Sequence, residues 1–361
     1  MNINSIVATI RAGIAIALIA FFSGGCYLLQ SAQGHLVLMS ERQPITQILG
    51  QPGTPNALRA QLESVTAIRD FASHELGLPD NGSYRSYADI KRRYVVWNVV
   101  IAPEFSVEPK QSCYPVVGCV AYRGYFVERR ARKYAAGWHA QGYDVVVGGV
   151  AAYSTLGHFD DPILSSMLAW NDVELASIIF HELTHQLLYV ANDAAFNEAL
   201  ATTVEEEGVR RWLEQQGRQQ DLAEHLLQQR RYLDVIALMA ATRQELQGVY
   251  DSGVPPPLMR ERKRETLQRM RESYATLKEQ WGGRAPFDTW FAEDINNAHL
   301  ASIATYFQCV PGFQRELAAV GGNLPAFYRR ARELAKLDQQ QRDTLVCGAP
   351  QAPAAHASSE N

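Results

Sequence analysis

The chain has 361 residues, 47% of them hydrophobic, which is enough to bury a sizeable core divided between two subdomains. A net charge of −4 argues against general nucleic-acid binding. The basic cluster Arg260-Glu261-Arg262-Lys263-Arg264 has an acid inside it and Leu267, Met270, Tyr274 and Leu277 following at helical spacing, so it reads as the wet face of an amphipathic helix.

The N-terminus reads as a targeting segment. Arg11 precedes an apolar run from Ala12 to Phe22, followed by Ser23-Gly24-Gly25-Cys26. The run is too short to span a bilayer comfortably and suits the hydrophobic region of a signal peptide over residues 1–25. The small residues before Cys26 resemble a bacterial lipoprotein cleavage box, which implies an acylated Cys26, export to the periplasmic side of the cell envelope and a lipid anchor at a membrane surface. Ser23 stands where such boxes carry leucine, so an uncleaved anchor and simple secretion stay open as alternatives. Tyr27, in place of Asp, points toward the outer membrane.

Residues 27–45 read as a tether leading into the fold. Helical periodicity runs from Leu58 to Leu76, and Tyr94–Ile101, rich in β-branched and aromatic residues, predicts a strand ending at Pro103. A second strand is expected around Val120–Phe126, a helix over Arg129–Gln141 and a third strand over Tyr143–Val147. An exported chain permits disulfides. Cys113 and Cys119 flank a Pro-Val-Val-Gly turn and should pair, leaving Cys309 with Cys347 by elimination. Gly148–Thr155 is a candidate edge strand for an extended peptide, with a glycine-rich turn as the alternative. In His158-Phe159-Asp160-Asp161-Pro162 the two Asp are candidates to grip a substrate ammonium group, against a turn or helix-cap role, and His158 is a further candidate ligand against a structural role.

The most informative stretch is Phe180-His181-Glu182-Leu183-Thr184-His185-Gln186, an H-E-x-x-H motif. On a helix, residues four apart share a face, so His181 and His185 can present two imidazoles to one metal ion, with Glu182 beside them as general base. Asn171-Asp172-Val173-Glu174 reads as the start of that helix, with Asn171 as N-cap and Glu174 three residues on. Ile178, Ile179 and Phe180 make its approach apolar, and a buried helix carrying two His and a Glu needs partners for them. A turn at Ala191–Ala195 should return the chain as a second helix that places Glu198 over the two His, with Asp193 and Glu205 as rival ligands. From Ala169 to about Leu345 the pattern is helical, broken at Gly253–Pro257 and Gly282-Gly283, and residues 346–361 read as a disordered tail.

Asn197-Glu198-Ala199, with Glu205 seven positions after Glu198, resembles the N-E-x-x-x-x-x-x-E helix of the gluzincin metallopeptidases. That resemblance implies Glu198 as third zinc ligand and Glu205 as a residue orienting a ligand, although only twelve residues separate His185 from Glu198, fewer than in the thermolysin-like enzymes. The H-E-L-T-H-Q segment, Phe196–Gly208, Tyr122–Phe126, Gly148–Gly157 and Asn296-Asn297-Ala298 together resemble a bacterial family of predicted aminopeptidases that carry lipoprotein-type signals. The resemblance runs from about residue 26 to about 340.

The expected architecture is α+β: a small mixed sheet in residues 26–168, then a mainly helical subdomain over 169–345, with the zincin-like helix at the cleft between them. The expected function is peptide-bond hydrolysis by an exported aminopeptidase. His181, His185 and Glu198 hold Zn²⁺, which lowers the pKa of its water to about 7, and Glu182 takes the proton. Tyr153 and Tyr306 are candidates to stabilise the oxyanion, each with a packing role as the alternative. A zinc endopeptidase or cell-wall peptide hydrolase would share this chemistry, and a surface-tethered binding protein would not need Glu182. Oligomeric state leaves no mark in the sequence.

Overall fold

The computed structural model describes residues 27, 29–114, 118–283, 285, 287–303 and 309–348. The first half carries α1 (29–40), β1 (Gln43–Pro44), α2 (Ile45–Leu49), α3 (Asn56–His74), β2 (Ser86–Ala88), β3 (Val96–Ala102), β4 (Ser112–Tyr114), β5 (Gly118–Val120), β6 (Tyr122–Tyr125), α4 (Glu128–His139), β7 (Asp144–Val150) and β8 (Ile163–Leu164). The second half is helical: α5 (Asp172–Leu187), α6 (Ala194–Gln215), α7 (Gln219–Asp251), α8 (Pro256–Gln280), α9 (Asp288–Phe291), α10 (Asn297–Ile303), α11 (Val310–Ala319), α12 (Leu324–Leu334) and α13 (Gln339–Val346). The fold is α+β, with small sheets of two or three strands set among helices.

The principal sheet is antiparallel, in the order β6-β3-β7, with Val99 opposite both Arg123 and Val147. β3 can be hydrophobic at every position but Asn98 because both its faces are covered. Trp97, Val99 and Ile101 pack with Ala131 and Ala135 of α4, while Val100 and Ala102 meet Ala298 and Ala301 of α10. This is the two-residue alternation of a strand, with apolar partners on each side.

The main core draws on both sides of residue 168, from Leu38 and Ile68 to Phe180, Phe313 and Cys347. Both disulfides form, Cys113–Cys119 across the β4–β5 hairpin and Cys309–Cys347 between the start of α11 and the end of α13. Residues 29–40, expected to be part of a tether, are helical instead. Gln30, Gly34 and Leu38, four apart, turn one side of α1 onto the body, where Gly34 leaves room for the Phe126 ring and Gln30 donates to the Gly124 carbonyl. In the basic cluster, Lys263 is buried against Asp144 at 2.6 Å and Arg260 pairs with Glu104 at 2.6 Å, so α8 uses two of its cations to hold the sheet.

The α5–α6 hairpin organises everything else. Asn171 and Glu174 form a reciprocal capping box at the start of α5. Asp193 caps α6 by accepting from the Phe196 N–H, and it is held in turn by Arg342 at 2.7 Å in a buried ion pair. Close approach of the two helices requires Gly208, where a Cβ would lie 2.7 Å from the Phe180 ring and from Leu76 Cδ1. Gly208→Val should therefore destabilise the protein by about 1–3 kcal/mol through overpacking. Chemical denaturation of both proteins in chelator checks this, and an unchanged midpoint would refute the close packing.

Candidate metal centre

Two helices supply the candidate ligands. His181 and His185 lie one turn apart on α5, and Glu198 lies just after the first turn of α6, which runs antiparallel. What pulls that turn back is Asn197. Its amide donates to the Val190 carbonyl and accepts from the Val190 N–H, each at 2.8 Å, so the chain leaving α5 is clamped to the chain entering α6. Asn192, with φ of 63°, makes the left-handed step in the turn that a short connection demands.

One donor atom each from His181, His185 and Glu198 lies within 4.8 Å of the others. His181 Nε2 is 3.2 Å from Glu198 Oε2 and 3.1 Å from His185 Nε2, and His185 Nε2 is 3.7 Å from Glu198 Oε1. Two imidazole nitrogens this close repel unless a proton or a cation lies between them. Two converging imidazoles and a carboxylate form a donor set suited to a borderline divalent metal.

Behind the donors stands Glu205. One of its oxygens meets His181 Nδ1 at 2.9 Å and the other accepts from the Ser177 hydroxyl. A proton on Nδ1 toward Glu205 leaves the Nε2 lone pair pointing at the cluster. The electrostatics follow from burial. Burial opposes a charge on His181, but the hydrogen bonds to Glu198 and Glu205 overcome it and hold its pKa well above the usual imidazole range. Burial and the neighbouring His181 lower His185 to about 4, so it is a neutral imidazole at physiological pH.

Glu182 projects beside this cluster. Burial raises its pKa above the ordinary carboxylate value, with repulsion from Glu198 and Asp161 adding to the shift, while His181 and a hydrogen bond from Ser154 act against it. The loop carrying Ser154 lies against α5: at Gly157, with φ of +80°, a Cβ would come 3.1 Å from Gln186. Asp161 holds this loop by accepting from the Thr155 N–H at 2.8 Å and the Thr155 hydroxyl at 3.0 Å. It is fully buried, and burial raises its pKa to about 6.

The remaining candidates fall elsewhere. Tyr153 turns toward α1, with its hydroxyl 3.4 Å from His35 Nδ1 and its ring on Phe126. His158 and Asp160 are exposed in the loop, and Asp193 is the cap of α6, paired with Arg342. Tyr306 and Cys26 lie outside the described residues. Tyr122 was not singled out in the sequence as a site residue. It stands on the edge strand β6, 36% exposed, and partial desolvation together with Glu198, Tyr189 and Glu182 pushes its phenol up to about 12. Tyr84, fully buried with φ of 61°, also lies within the field of Glu182. Ser177 was legible in principle, four residues before His181 and thus on the same face, whereas Tyr122 and Tyr84 reach the cluster through tertiary packing that no local pattern announces.

A family model described as "Putative aminopeptidase" matches residues 26–346. The chain belongs to this aminopeptidase family. The comparisons with curated proteins and with solved structures find no match. The span matched to the aminopeptidase family includes both α5 and α6, so the His-His-Glu cluster lies wholly within it.

Replacing Glu205 by Gln should lower affinity for a divalent cation roughly 10–100-fold, because the acceptor that fixes the His181 ring is weakened. Competition against a chromogenic chelator measures this, and an affinity equal to wild type would remove the orienting role.

Proposed function

We propose that this chain is a zinc-dependent peptide hydrolase acting on free N-termini, exported and tethered to a membrane of the cell envelope. The observation that carries the reading is the convergence of His181, His185 and Glu198 with Glu182, half-buried, beside them. The donor set fits zinc, since His₂Glu with an open position is a recurrent catalytic arrangement for that ion. Bound zinc would polarise a peptide carbonyl as a Lewis acid and acidify a water.

The chain's own residues supply the rest. Glu182 accepts the proton of the attacking water and returns it to the departing amine, and its raised pKa suits both halves of that task. Ser154 orients Glu182, while Glu205 and Ser177 keep the His181 ring turned toward the cluster. Tyr122 remains protonated beside Glu198 and Glu182, so its hydroxyl is available to donate to the carbonyl oxygen as charge develops there. Tyr153, turned toward His35, fits a role in packing the α1 side of the cleft better than a role at the oxyanion. β7 is an edge strand whose Gly148 has open space beside it, and it leads into the loop carrying Ser154. An extended peptide pairing along that edge would be guided toward Glu182.

The "amino" part rests on the family, and the envelope location rests on the signal-like N-terminus, with the two disulfides in keeping with an oxidising compartment. Among the described residues no helix is long and apolar enough to cross a membrane, so a tether would have to involve Cys26 or the segment before it. The mass of the mature N-terminal peptide checks this, and an unmodified Cys26 in a chain recovered from the soluble fraction would refute the tether.

Glu182→Gln should retain one zinc per chain by elemental analysis and lose roughly 10²–10⁴-fold in kcat/KM. Zinc absent from purified wild type would instead favour the binding-protein alternative. Wild type should cleave a free-N-terminal peptide and spare its N-acetylated counterpart. Equal cleavage of the two would reassign the enzyme as an endopeptidase.

A further inference from the structure

We propose that α1 and α4 together form a docking face for an anionic lipid bilayer. The outward side of α1 would enter the apolar margin of the membrane, and the cations of α4 would meet its headgroups.

The first observation is the outward side of α1. Leu29, Leu36 and Val37 are 70%, 67% and 50% exposed and share one side of the helix, spaced seven and eight residues apart. Residues 27–40 contain no Asp, Glu, Lys or Arg, so this solvent-facing side lacks the charges that keep a helix in water. The opposite side is already committed to the body through Gln30, Gly34 and Leu38. α1 therefore faces out with Leu29, Leu36 and Val37 set among the uncharged side chains Ala32, Gln33 and Ser40.

The second observation is charge. α4 exposes Arg129, Arg130, Arg132 and Lys133, with Glu128 as its one acid, paired to Arg132 at 2.7 Å. This concentrates positive charge on one helix of a chain whose net charge is −4. The start of α1 and the length of α4 border one groove. Tyr27 and Gln30 line one open groove of about 580 Å³ with Arg130, Lys133, Tyr134 and Trp138 of α4. Tyrosine and tryptophan beside Arg and Lys suit the headgroup level of a bilayer.

The third observation is where the chain comes from. The apolar run Ala12–Phe22 and Cys26 directly precede Tyr27, at the end of α1 that lines the groove. Whether the chain is held by an acylated Cys26 or by that run, the tether would deliver this face to the lipid. One hydrocarbon attachment alone gives marginal binding, and a basic surface beside it supplies a second contact.

The inference concerns lipid contact and stands whether or not the metal centre hydrolyses peptides. The test uses the full chain with vesicles of phosphatidylcholine, alone or with phosphatidylglycerol. On the mixed vesicles, amides of residues 29–40 and 129–138 should gain protection from hydrogen exchange, and those of α5 and α6 should not. The triple change Arg129→Gln, Arg130→Gln, Lys133→Gln should weaken flotation with mixed vesicles about fivefold per charge removed and leave flotation with the neutral ones unchanged. Changing Leu29, Leu36 and Val37 to Ser should remove the protection of residues 29–40 with circular dichroism unaltered. Flotation with unchanged exchange in both segments would mean that the N-terminal segment alone holds the chain, and would overturn the proposal. Protection of residues 29–40 without vesicles, with a dimer in light scattering, would assign the face to a second copy and overturn it equally.

Discussion

The structure depends on one short clamp, the pair of hydrogen bonds by which the Asn197 amide grips both polar groups of the Val190 backbone. It closes a connection of a few residues between two antiparallel helices and so brings a carboxylate on α6 to imidazoles on α5. The short separation of twelve residues between His185 and Glu198 is possible because the turn is tied to the helix it introduces. Asp193 adds the cap, and Arg342 from the last helix binds Asp193, so the end of the chain supports its centre. Gly208, three residues beyond Glu205 on α6, lets the same two helices stay close at Phe180, directly before His181.

The hairpin also sets the electrostatics. Glu182, Glu198 and Glu205 sit around two imidazoles in a largely desolvated place, a concentration of negative charge that needs compensation. The strongly raised pKa of His181 expresses that need, since the carboxylates favour a positive charge where the imidazoles meet. A divalent cation answers it more fully than one proton would, because it can share both imidazoles and Glu198 at once. Glu182 is then left as the carboxylate outside the donor set, which is the position a base requires.

Much of the centre was legible because helices have a fixed period. His181 and His185 share a face by spacing alone, and Asn171 with Glu174 announced the start of α5. The pairing of Cys113 with Cys119 followed from a turn between them, and β3, α4 and β7 from runs of the right period. The third donor was harder. Spacing left Glu198, Asp193 and Glu205 open, and they separate only through tertiary contacts: Arg342, from near the other end of the chain, takes Asp193, while Ser177 and the far side of the His181 ring take Glu205. Tyr122 and Tyr84 approach Glu182 from strand and loop positions whose neighbours in sequence say nothing of a site. Tyr153 attracted notice by its position in a glycine-rich stretch, yet its hydroxyl turns to His35 on α1.

The reading of residues 27–45 as a tether failed for a related reason. Its helical part, within residues 27–40, lacks charge, which on a soluble surface argues against a stable helix, and its inward side needed a glycine at position 34 to admit Phe126. Both features make sense for a helix held between a protein and something apolar. Gly34 permits close contact on the inside, and the missing charges make the outside cheap to bury. His35, on the same helix, reaches Tyr153 and Phe159 in the loop whose Ser154 bonds Glu182. α1 is therefore connected through this loop to Glu182 beside the candidate metal centre, and seating that helix would also fix the loop.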